Sequence, residues 1–90
     1  MNKERRKQLA DLAAKIQLLA EKMGEIKDEI ETLKDEEQDY FDAMPEGLQA
    51  GEKGEKAEVA IDALDTAMSE IDDAIQSIES AVENIETAQE

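Results

Sequence analysis

"DYFDAMPEGLQAGEKGEK", residues 39–56, interrupts a chain that otherwise favours helix almost throughout. It holds the only Tyr, the only Phe and the only Pro among 90 residues, and three of the four Gly. Pro45 lacks a backbone donor and Gly47 weakens a helix interior, so one helix stops here and another starts beyond.

Working outward from this break, both sides carry the same period. Upstream, Leu9, Leu12, Ile16, Leu19, Met23, Ile26, Ile30 and Leu33 are spaced alternately by three and four, which is a heptad seam of a and d positions. Downstream, Ile61, Leu64, Met68, Ile71, Ile75, Ile78, Val82 and Ile85 repeat it. Each seam is about 37 Å long at 1.5 Å per residue. The expected fold is all-α: an antiparallel two-helix coiled-coil hairpin, one domain over residues 1–90. Helix 1 covers about 3–41, the connector about 42–51 and helix 2 about 52–88. One register pairs the seams end to end, from Leu9 opposite Ile85 to Leu33 opposite Ile61, and centres on Gly47. It sets Tyr40 over Gly54, and it turns Lys27 and Lys34 toward Asp72, Asp65 and Glu58.

The composition fits such a fold. Charged residues make up 39% and aromatics 2%, as in long helices rather than mixed domains. The net charge of −15 would suit disorder, but strict apolar periodicity argues for structure. With no Cys and no His, disulfides, thiol chemistry and His-based catalysis are excluded. Lys and Asp break every apolar run short of the roughly 20 residues of a membrane span, so a soluble protein of the cytoplasm is expected.

The charge is distributed unevenly. Residues 1–34 carry 8 basic and 7 acidic side chains, residues 35–52 carry 7 acids and no base, and residues 53–90 carry 11 acids against Lys53 and Lys56. Such a surface repels nucleic acid and anionic membrane and attracts basic proteins. The N-terminal Lys3, Arg5, Arg6 and Lys7 lack interleaved aromatics, and in the hairpin register they neutralise the acidic C-terminus.

Helix 2 repeats internally, with Ala60, Ala67, Ala74, Ala81 and Ala88 one heptad apart and Ala63 beside them. Ala is the best helix former and fills exposed positions well. Five heptads in one phase point instead to a packed face. A two-helix hairpin is short of core, and pairing hairpins into a four-helix bundle supplies it. A homodimer or higher oligomer is therefore expected through this seam.

Two readings meet at the connector. Tyr40, Phe41, Met44 and Leu48 can plug the end of the bundle, with Pro45 starting a short helical turn and Gly51 capping helix 2. Alternatively Tyr40, Phe41, Asp42, Met44, Pro45, Glu46 and Leu48 form a docking tip for a partner, since the connector is longer than closure requires. A small-ligand alternative uses Tyr40 and Phe41 to stack, and Lys53 and Lys56 to hold, a nucleotide-like anion. No metal is expected: neither "DEEQDYFD" (35–42) nor Asp72–Asp73 matches a calcium loop. No catalytic residues and no cofactor are assigned, because a hairpin offers no cleft for paired carboxylates.

"DEEQDYFDAMPEGLQAGEKGEKAEVAIDALDTAM" (35–68) resembles small acidic helical-hairpin proteins encoded by bacteriophages and bacterial mobile elements. In these, an acidic-aromatic-MPE-x-LQ connector leads into a Glu/Ala/Ile/Leu-repeating helix. The similarity spans residues 35–85, and its specific part is YFD-x-MPE-x-LQ. It carries over no catalytic residue. It implies a phage or prophage origin and a non-enzymatic module that binds and modulates a host protein, with anti-defence as one role. A structural or assembly component is the remaining alternative.

Overall fold

The computed structural model describes every residue, Met1–Glu90. The chain is all-α, with no strand: α1 runs Lys3–Asp42, α2 Glu46–Gln49 and α3 Glu52–Gln89. No helix is long and apolar enough to cross a membrane.

Local chemistry fixes the helix ends. The Arg5 amide donates to the Asn2 side-chain oxygen at 2.8 Å, an N-cap that satisfies one of the orphan donors of the first turn. At the other end of α1, the Ala43 amide donates to Asp39 O (3.0 Å) and the Met44 amide to Phe41 O (3.1 Å), tightening the last turn. Pro45 then turns to φ −57° and ψ 148°, which ends the helix. Its carbonyl accepts from the Leu48 and Gln49 amides at 2.9 and 3.1 Å, so it starts α2 as it leaves α1. The Glu55 amide donates to Gly51 O at 3.0 Å to open α3, with Glu52 and Glu55 at the positive end of the helix dipole.

The chain forms two compact units, each drawing on both long helices: Met1–Glu25 with Ile71–Glu90, and Ile26–Glu70. In the first, Ala13 and Val82 are buried, and Leu9, Ile16, Ile71, Ile75, Ile78 and Ile85 are half-buried. In the second, Ala57 and Gly54 are buried among the half-buried Ile30, Ile61, Leu64 and Met68. Lys34 Nζ donates to Asp65 Oδ1 at 2.8 Å across this unit, the facing that the heptad phases predict.

The core is thin. Ala13, Ala57 and Val82 are its only buried apolar residues, and none is larger than Val. The accessible surface is 6623 Å².

Along α3 the a and d positions all lie inward, half-buried or buried. Along α1 the expected seam is rotated. The inward line is Leu9, Ala13, Ile16, Ala20, Met23, Lys27, Ile30, Lys34, Glu37 and Phe41, which are a and e positions. The d positions Leu12, Leu19, Ile26, Leu33 and Tyr40 are instead 50–56% exposed. Position e lies about 40° from a, and d lies about 60° away on the other side, so a modest rotation exchanges them. One feature favours the rotation: Ala13 and Ala20, at e positions, admit close approach.

A candidate protein-docking tip

The connector is built around two backbone contacts. The Gln49 side chain folds back, and its Nε2 donates to Phe41 O at 2.9 Å. That carbonyl, in the last turn of α1, also accepts from the Met44 amide, so the Gln49 side chain supplies its second donor. The Gln49 backbone also lies against Gly54 so closely that a methyl there would run into the Gln49 carbonyl and Cα. Gly54 is therefore buried against α2, and the Tyr40 ring is half-exposed.

These contacts divide the tip residues. Phe41 and Met44 are half-buried, as in an end plug. Phe41 lines a shallow hollow of about 270 Å³ with Gln38, Glu58, Ile61 and Asp62. Tyr40 and Leu48 are 52% and 50% exposed, and Asp42, Pro45 and Glu46 are exposed around them. The tip thus sets the half-buried Phe41 and Met44 beside two outward apolar side chains, Tyr40 and Leu48, among carboxylates.

The remaining candidates are placed as follows. Lys56 pairs with Glu52 at 3.1 Å on the surface of α3, and Lys53 is exposed nearby. The hollow at Phe41 is flanked by the Glu58 and Asp62 carboxylates, which oppose an anionic ligand. Of the alanine seam, Ala60, Ala67 and Ala74 are half-buried, whereas Ala63, Ala81 and Ala88 are exposed. Lys3, Arg5, Arg6 and Lys7 are exposed. No three carboxylates are arranged to hold a metal ion. The hydrogen bond to Asp65 holds the Lys34 ammonium above the ordinary lysine range; desolvation works against it, and the Asp65, Asp35 and Glu31 charges support it.

Sequence reasoning missed Gln49, which makes both structural contacts of the connector. Its signal is weak: a Gln eight residues after a helix-terminal carbonyl has no fixed spacing rule. No family model, no curated protein and no solved structure matches the chain.

Proposed function

We propose that the protein is a non-enzymatic interaction module whose acidic tip docks a basic surface of a host protein and modulates it. The reading includes an antiparallel hairpin of α1 and α3, associated into a four-helix bundle. Support for the hairpin comes from the two compact units, each of which joins stretches of both long helices.

One observation carries the docking role. Tyr40 and Leu48 stand half-exposed where seven acids and no base lie between residues 35 and 52. Apolar anchors ringed by one sign of charge suit a partner of the opposite sign: the anchors supply affinity and the charges steer the encounter. A phage-type protein acting on a host enzyme fits this picture. Where that enzyme binds nucleic acid, the carboxylates take the place of phosphates.

The test is capture from a bacterial host lysate, comparing wild type with Leu48→Ala and with Asp42→Lys/Glu46→Lys. A partner held by wild type at low salt should be lost with both variants, and its affinity should fall as salt rises. A partner retained by both variants would remove the tip from the reading.

A further inference from the structure

We infer that α1 docks a second copy of itself, antiparallel, along the row Leu12, Leu19, Ile26, Leu33 and Tyr40, about a two-fold axis near Ile26. This deepens the oligomeric part of the proposed function, assigning the interface to α1 instead of the alanine seam of α3. It does not depend on the tip binding a host protein.

The row is the largest apolar feature left without cover. Its five members recur every seven residues along one helix, and each is at least half-exposed. Only three apolar residues are fully buried, none larger than Val, so the inward side leaves this row uncompensated in a protein of this length.

The charges beside the row identify the occupant. On its outer flank, opposite the inward a positions, lie Lys15, Lys22, Glu29 and Glu36, again seven apart. Two cations are followed by two anions, a pattern complementary to its own reverse. When two copies of α1 run antiparallel with Ile26 against Ile26 of the second copy, Leu19 meets Leu33 and Leu12 meets Tyr40. The same register places Lys22 beside Glu29 and Lys15 beside Glu36 of the second copy, twice over by symmetry. A two-fold parallel arrangement turns this flank toward the a flank of the second copy, Leu9, Ile16, Met23, Ile30 and Glu37, where neither lysine meets an acid at its own level. Sliding the antiparallel pair by one heptad sets Lys22 against Lys22 in one direction, or Glu29 against Glu29 in the other. Only one register satisfies both the apolar row and the charges. The a–a flank of this pairing turns the inward residues of the two copies toward each other, as a four-helix bundle requires.

The chain has no Cys, so single-cysteine variants report the geometry directly. Under mild oxidation Ile26→Cys should give a disulfide-linked dimer. Leu12→Cys and Leu19→Cys alone should not, and Leu19→Cys mixed with Leu33→Cys should give the heterodimer. In light scattering at low salt, Lys15→Glu/Lys22→Glu should raise the dimer Kd at least about tenfold. Adding Glu29→Lys/Glu36→Lys in the same chain should restore it, because the reversed pattern is again self-complementary. Circular dichroism establishes that each variant remains helical. Self-crosslinking of Leu12→Cys and Leu19→Cys would mean a parallel pair and overturn the proposal. A dimer crosslinked by Ala67→Cys or Ala74→Cys but not by Ile26→Cys would overturn it while leaving the oligomeric reading intact. A monomer at all concentrations would end both.

Discussion

The backbone of Gln49 occupies the space in which any residue but glycine at position 54 would place its side chain. The first turn of α3 and the connector helix are thereby locked together without a bulky side chain.

Gly54→Ala is expected to destabilise the protein. The added methyl meets backbone, which cannot rotate away, so α2 must move. Overpacking of this kind costs about 1–3 kcal/mol, more than the ~1 kcal/mol that helix propensity returns. Urea unfolding followed by circular dichroism measures the difference; an unchanged midpoint would mean that α2 does not rest on Gly54.

Gly24→Ala carries the opposite sign. A Cβ at this position, inside α1, meets nothing within 4 Å. Helix propensity then acts alone, and a gain of about 0.5–1 kcal/mol is expected. The same unfolding measurement applies, and a loss would reveal a neighbour that approaches Gly24.

Gln49→Ala retains the backbone contact with Gly54 and removes only the hydrogen bond to Phe41 O. A loss of about 0.5–1.5 kcal/mol is expected, concentrated at the end of α1. Amide exchange should quicken at Ala43 and Met44, whose own bonds close that turn, before it changes in mid-helix.

Ala13→Leu separates the rotated packing from the heptad expectation. Position 13 is an e position, where an a/d seam would tolerate Leu on the surface. Here Ala13 is buried, so overpacking should cost about 1–3 kcal/mol. A neutral result at concentrations where self-association is absent would restore the a/d seam.

The Lys34–Asp65 pair predicts a pH dependence. The folded state raises the Lys34 pKa above its ordinary 10.5, so the contribution is fully present below that value. It disappears as pH rises through the folded pKa. Stability of wild type and Lys34→Met should therefore differ near pH 7 and converge in strong alkali, as thermal melts across that range would record. Because the pair is partly solvated, 1 M salt should also narrow the gap.

Much of this was legible in the sequence, for reasons that differ by element. Pro45 and the glycines mark the break because their backbone restrictions act locally. The facing of Lys34 and Asp65 follows from heptad phase, which is also local to each helix. The rotation of α1 is not, because Leu12 and Ala13 sit about 100° apart on the helix and periodicity alone cannot tell whether Leu is turned inward or reserved for another surface. The Gln49 contacts were hidden for another reason. They depend on how a four-residue helix folds back, and no apolar pattern records that path.

The exposed d row gives α1 two sets of instructions written on one helix. Positions a and e line the inward side of the helix, whereas on the proposed pairing d and its flanking charges meet a second copy. A survey of substitutions would therefore divide by heptad letter: changes at a or e would appear as lost protein, and changes at d as protein that folds normally but stays alone. Leu19 and Ile16, three residues apart and equally apolar, would fall in different classes.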